Sequence, residues 1–232
     1  AATSHVLYPA IYQPNFGRDR PDARRAVTGD GYIRIPENSK VGGKMGNFEQ
    51  YRIIDSLKKE DILAVITARG GSTRAPLKNI KPLAGKPLIV WTIEQATKSI
   101  CTRIVVSTDN EEITKVSQGY GAEVVFCPSS LHSGDEQGSI KVVNHTLDFL
   151  RVREAYKPEL VVLLQPTSPL RSVDDINNTI RLVIDEHLDS AKTQYKGQDN
   201  GAIYVSHPYV YQKWFQVTGG HWLPLEMPAG RS

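Results

Sequence analysis

The feature that most constrains this chain is the run Ile62-Leu63-Ala64-Val65-Ile66-Thr67-Ala68, followed at once by Arg69-Gly70-Gly71. A continuous apolar run of this length suits a strand buried on both faces, which is the habit of parallel sheets covered by helices. Two glycines directly after it let backbone N–H groups approach a ligand closely. The same β-then-loop pattern recurs. Arg103–Ser107, Glu123–Phe126, Leu160–Leu164 and Ala202–Val205 read as further strands.

Helical segments lie between them. Pro87 opens one, with Leu88, Trp91, Ile93 or Thr92, and Ala96 on one side. Asn110 caps a second through Gln118, and Gly119 and Gly121 stop it. A third near 137–154 carries Ile140, Val143, Leu147 and Leu150; a fourth, capped by Ser172 or Asp174, carries Val173, Ile176, Ile180, Val183 and Ile184. Strands alternating with helices predict an α/β fold, a doubly wound and mostly parallel sheet. Ligands in such sheets bind beyond the carboxyl ends of the strands, so the loops after the first, third and fourth strands are where chemistry is expected.

Residues 1–60 are different. Prolines and glycines punctuate the stretch, and apolar residues settle into no lasting period. It reads as an irregular N-terminal extension, with a strand at 31–35 and a short helix near 48–57, ahead of an α/β domain over 61–232. The net charge is +3; residues 1–60 hold ten Lys/Arg against seven Asp/Glu, and the remainder eighteen of each. That excess is too small and too scattered for a nucleic-acid partner. No apolar run approaches the ~20 residues of a membrane helix, and the first residues lack a secretory pattern, so no membrane partner and a cytoplasmic location are expected. Cys101 and Cys127 form neither a disulfide framework nor a zinc site and read as reduced thiols.

The loop after the first strand is Ala68-Arg69-Gly70-Gly71-Ser72-Thr73-Arg74-Ala75-Pro76-Leu77-Lys78-Asn79. Three cations, Arg69, Arg74 and Lys78, lie within ten residues, and both side-chain types bind phosphate oxygens. The composition is that of a polyphosphate cradle, though it is neither a Walker loop nor G-x-G-x-x-G. A solvated Gly/Arg turn has the same composition. The loop after the fourth strand is Gln165-Pro166-Thr167-Ser168-Pro169-Leu170-Arg171. Its prolines fix the backbone while Gln165, Thr167 and Ser168 present polar groups and Arg171 a partner for a carboxylate. A proline turn into a helix cap is the alternative there.

Taken together, these loops resemble the acylneuraminate cytidylyltransferases, or CMP-sialic acid synthetases. Leu83-Ala84-Gly85-Lys86-Pro87-Leu88-Ile89, Val106-Ser107-Thr108-Asp109 and Asn200-Gly201-Ala202-Ile203-Tyr204 add to the likeness. The resemblance covers 61 to about 190 and about 200 to 232. It implies a nucleotide-diphospho-sugar transferase-like fold and an enzyme that joins CTP to a nine-carbon 2-keto sugar acid. The sugar's anomeric hydroxyl attacks the α-phosphate and pyrophosphate leaves. Cations on the triphosphate and Mg²⁺ are then required.

By the same resemblance Arg69, Arg74 and Lys78 are triphosphate ligands. Gly70, Gly71, Ser72, Asn79 and Ser139 hold the nucleotide. Gln165, Thr167, Ser168, Arg171, Asn200 and Tyr204 face the acceptor sugar, and a homodimer is implied.

Several departures accompany the likeness. Thr73 stands where the family usually has Lys, and Ser72-Thr73-Arg74 resembles the Kdo cytidylyltransferases instead. Cys127 precedes Pro128 where the family often has Arg. Only 189–199 fill a stretch that in the family is some sixty residues longer and carries the dimer contact. The family's metal-binding Asp-x-Asp follows a Met-Pro segment; Met227-Pro228 stands near the end of this sequence, so the natural product is expected to continue into such a motif. Asp109, read as a helix cap, and Asp135 are the short acidic candidates, and no metal ligand is assigned. The resemblance leaves open Kdo or another 2-keto sugar acid as acceptor, and a non-catalytic nucleotide-binding relative.

Overall fold

The computed structural model describes residues 62–71, 75–131 and 136–231, all within one of the chain's two compact units, Ile35–Ser232. The expected strand and helix within 1–60 lie outside the described residues.

Nine strands and four α-helices are described: β1 (Ile62–Thr67), β2 (Pro82–Leu83), β3 (Lys86–Pro87), α1 (Leu88–Lys98), β4 (Arg103–Thr108), α2 (Glu111–Gly119), β5 (Glu123–Phe126), α3 (Glu136–Glu154), β6 (Leu160–Leu164), α4 (Val173–Asp185), β7 (Ser190–Tyr195), β8 (Gln198–Ser206) and β9 (Trp222–Glu226). Seven strands form one sheet in the order β5-β4-β1-β6-β8-β7-β9. Pairing is parallel from β5 through β6 and between β7 and β9; only β8 runs the other way. The α/β, mostly parallel sheet is as the sequence predicts.

The central strands are apolar throughout because both faces are covered. Val65 pairs with Val105 on one side and Leu163 on the other. Ala64 and Ile66 pack with Ile89 and Ile93 of α1, Ile113 of α2 and Ile176 and Ile180 of α4. Leu63 and Val65, pointing oppositely, pack with Ile140, Val143, Leu147 and Leu150 of α3. Truncating a residue such as Leu163, fully buried, is worth roughly 2–5 kcal/mol.

The caps follow the sequence with one correction, at Asp109, and one choice between the two caps it left open, at Ser172. Asn110 caps α2, its side chain accepting from the N–H groups of Glu112 and Ile113, so Asp109 is not the cap. Ser172, not Asp174, caps α4, and Asp175 completes a reciprocal capping box. Pro87 opens α1 from its N-cap position. It ends a two-strand hairpin whose turn residues Ala84 and Gly85 both have positive φ (47° and 87°), and α1 begins at Leu88. The buried face of α1 is Ile89, Val90, Thr92, Ile93 and Ala96, whereas Trp91 turns outward and donates from Nε1 to the Leu83 carbonyl at 3.0 Å.

Residues 189–199 are not a bare link. They carry β7 and its tight turn into β8 at Lys196-Gly197 (φ 51° and 74°).

Candidate functional site

The strand order reverses direction of growth at β1: β4 and β5 extend one side, β6 the other. The carboxyl ends of β1, β4 and β6 therefore frame a crevice at the switch point. Because β8 is antiparallel, its amino-terminal end joins the same rim.

The loop after β1 is bound to β4. The N–H of Ala68 donates to the Ser107 carbonyl at 2.9 Å, and the N–H of Gly70 to Asp109 Oδ1 at 2.7 Å. A side chain at Gly70 would put its Cβ 2.7 Å from Asn110 Cβ, which only glycine avoids. Gly71 is exposed, and a Cβ there would meet no described atom within 4 Å. The loop closes on itself where Asn79 Nδ2 donates to the Arg69 carbonyl at 3.0 Å and Leu77 N–H to the Gly70 carbonyl at 3.3 Å. Leu77 takes a left-handed conformation (φ 53°) to make this turn. Arg69 and Lys78 are half-buried on the two arms of the loop. Asn79 is 2% exposed, and its carboxamide braces the loop from inside. Ser72, Thr73 and Arg74 lie outside the described residues, as does Asp135.

Ser139 sits in the first turn of α3, half-buried. Cys127, after β5, is buried, and burial pushes its thiol pKa up, with the Asp109 carboxylate adding to the shift. It is a neutral group at ordinary pH.

The second set lies past β6. Gln165 Oε1 is 3.6 Å, and the Tyr204 hydroxyl 3.9 Å, from where a Cβ on Gly201 would stand; these three residues converge. Gly201 has φ 66°. The Tyr204 hydroxyl and the Gly201 N–H both donate to Asp199 Oδ1, at 3.0 and 2.9 Å, and Asp199 also pairs with Lys192 at 3.0 Å. Asn200 Oδ1 accepts from Thr193 Oγ1 at 2.8 Å and the Ala202 N–H at 3.1 Å. That carboxamide oxygen holds the hairpin together. Thr167 is exposed and Ser168 half-buried, its N–H donating to the Gln165 carbonyl at 3.2 Å.

Arg171 does not face the rim. It is 1% exposed, with Nη1 donating to Thr92 Oγ1 at 3.0 Å and Nη2 to the Gln165 carbonyl. The side chain serves the loop's interior.

Sequence reasoning missed Asp199 as part of the cluster and Asp109 as the loop's anchor. The first had a signal, the turn-forming Asp-Asn-Gly ahead of the strand; the second had none, because its partner is a backbone N–H thirty-nine residues away.

The described residues hold no group of three His, Cys, Asp or Glu side chains placed for a metal ion. Asp109 is a single carboxylate at the crevice and is engaged by Gly70. By themselves these residues do not fit the hard, multi-oxygen site that Mg²⁺ requires.

The model of a family described as cytidylyltransferase matches residues 63–212. The chain is 43% identical over 122 residues to CMP-N,N'-diacetyllegionaminic acid synthase of Legionella pneumophila, covering 52% of each chain. It is 40% identical over 113 residues to pseudaminic acid cytidylyltransferase of Campylobacter jejuni (48% of each). With N-acylneuraminate cytidylyltransferase of Escherichia coli it shares 34% over 122 residues, 52% of this chain and 28% of that one. The chain thus spans about half the length, or less, of the curated relatives it matches. Among solved structures, CMP:2-keto-3-deoxy-manno-octonic acid synthetase complexed with CTP superposes with a TM-score of 0.56 at 16% identity, covering 72% of this chain and 90% of that one. That likeness shows the fold alone.

Proposed function

The chain belongs to the cytidylyltransferase family, and from that premise we propose that it makes a CMP-activated sugar acid from CTP and a sialic-acid-like nonulosonic acid. The anomeric hydroxyl oxygen bonds to the α-phosphorus, the bond to the β-phosphate's bridging oxygen breaks, and pyrophosphate leaves with the electron pair. The hydroxyl proton passes to water.

What carries the reading is that two unlike sets of side chains follow the carboxyl ends of the neighbouring strands β1 and β6. On the β1 side stands a glycine loop tied down by Asp109, with Arg69 and Lys78 on its arms and Arg74 in its sequence. Fixed cations there stabilise charge on a triphosphate without reorganising. On the β6 and β8 side stand Gln165, Tyr204 and Asp199, neutral donors and acceptors with one carboxylate, a set that suits hydroxyl groups of a sugar.

The names of the relatives at 34–43% identity, for legionaminic, pseudaminic and acylneuraminic acids, favour a nonulosonic acid. Ser72-Thr73-Arg74 supports a second reading, Kdo or another 2-keto sugar acid as acceptor.

Mg²⁺ enters the proposal only as the triphosphate's counter-ion, and no step is routed through it. A homodimer and a cytoplasmic location complete the reading; no helix among the described residues is long and apolar enough to cross a membrane. Sedimentation of the purified chain tests the dimer.

The experiment is a panel of acids (neuraminic, legionaminic, pseudaminic, Kdo) with CTP and Mg²⁺, scored by pyrophosphate release. Turnover with a nonulosonic acid is expected. Turnover with Kdo alone moves the assignment to the second reading, and CTP binding without release from any acid overturns the enzymatic one.

A further inference from the structure

Arg171 is a charged group placed where a charge is expensive. Its guanidinium is among the largest fully buried side chains of the protein. Removing a cation from water costs several kcal/mol unless partners compensate. Its partners are few. Nη1 reaches Thr92 Oγ1 on α1 at 3.0 Å, Nη2 reaches the Gln165 carbonyl, and Nε meets no acceptor among the described residues.

The carboxylate whose charge acts on it, Asp175, is shared: its Oδ2 accepts from the Ser172 N–H (2.7 Å) and hydroxyl (2.8 Å), and its Oδ1 is 3.5 Å from Arg231 Nη1. Burial pushes the guanidinium's pKa down to about 9, with Asp175 pulling it back up.

What it fixes is the Gln165 peptide. Leu164–Ile203 is the last register pair between β6 and β8, so Gln165 is the first residue beyond the ladder. Pro166 and Pro169 bring no N–H to hold the turn. The Gln165 carbonyl is held instead by the Ser168 N–H at 3.2 Å and by Arg171. The Pro169 carbonyl is held from α1 by Gln95 Nε2 at 3.0 Å. The side-chain oxygen of that same Gln165 lies 3.6 Å from where a Cβ on Gly201 would stand, a point 3.9 Å from the Tyr204 hydroxyl. Rotation of the 165–166 peptide would swing it away.

We propose that Arg171 is a positioning residue: it clamps the Gln165 carbonyl to α1 and so aims the Gln165 side chain at the acceptor, touching no substrate itself. This rests on the cytidylyltransferase reading above.

The test compares Arg171→Met, Arg171→Lys, Gln165→Ala and the Arg171→Met/Gln165→Ala pair in the full chain, with the best acid of the panel. Arg171→Met should raise the acceptor KM about 10-fold while CTP affinity, measured by calorimetry, stays within about 2-fold. Lys restores one donor but not the planar fork, so Arg171→Lys should recover part of the loss. The double variant should be no worse than Gln165→Ala alone, because both changes remove one function. Additive losses, or an equal loss of CTP affinity, overturn the proposal.

If Arg171→Met does not fold, Thr92→Val removes one end of the clamp at constant shape and is read the same way. If no acid is turned over by the unaltered chain, the functional reading has failed on its own account. The clamp is then read by hydrogen exchange at the Ser168 amide, which should quicken about 10-fold in Thr92→Val. Unchanged exchange overturns it.

Discussion

The N–H of Gly70 donates to Asp109 Oδ1 at 2.7 Å, joining the loop after β1 to the end of β4. Gly70 is held before any ligand arrives, so ordering this end of the loop draws on folding free energy and not on binding energy. The close approach of the two segments also explains which glycine is indispensable.

Gly70→Ala should destabilise the protein by about 1–3 kcal/mol, since the new Cβ falls 2.7 Å from Asn110 Cβ and the neighbouring backbone must move. Gly71→Ala, with open space around it, should stay within about 0.5 kcal/mol. Urea unfolding of the two variants side by side decides; equal losses would mean that the loop is not packed against Asn110.

Arg69→Ala and Lys78→Ala should each weaken CTP binding and lower turnover by ~10²-fold, as for removal of a preorganised charge stabiliser. Calorimetry with CTP and initial rates of pyrophosphate release check both. Unaltered kinetics in the two variants would remove the triphosphate from this loop.

Asn110→Ala should cost about 1 kcal/mol, the worth of an N-cap whose side chain satisfies the N–H groups of Glu112 and Ile113. Asp109→Ala, by contrast, should lower CTP affinity, because it frees the Gly70 end of the loop while leaving the α2 cap in place. A cap-like loss of stability with full CTP affinity in Asp109→Ala would contradict the separation of roles drawn here.

Cys101 is buried, and desolvation raises its thiol pKa from 9.0 to about 11, with a small opposing effect of the Ser99 hydroxyl. A folded pKa above the unfolded one means that the native state holds its proton longer. The contribution is therefore complete below pH 9 and is lost as pH rises through 11, a change of roughly 2–3 kcal/mol over that interval. Denaturant midpoints between pH 8 and 11 should fall less steeply in Cys101→Val than in the unaltered chain. Parallel slopes would show that the thiol does not titrate on unfolding.

Reading the sequence reached the elements whose signal is local. The runs at 62–67 and 160–164 are apolar because α-helices cover both faces, and Asn110 and the Ile140–Leu150 stripe act through neighbours a few residues away. It did not reach β7 or β9. Ser190–Tyr195 is polar, yet Ser190 and Thr193 are buried because their hydroxyls bond to the Gly219 carbonyl and to Asn200 across the fold. Trp222–Glu226 contains Pro224, which an edge strand tolerates and a central one does not.

The same division runs through the site. The amino-acid sequence by itself determined a two-sided parallel sheet and the presence of cations and glycines after its first strand. Only the tertiary structure decided which of the polar side chains there are turned inward. Asn79 and Arg171 have the composition of ligand contacts, but each is turned inward to a carbonyl that no other described side chain bonds. Asp109 reads as a helix cap and instead anchors Gly70. Residue type and local spacing fix what a side chain can bond to; the partner it finds is set by strands and helices that meet from distant parts of the chain.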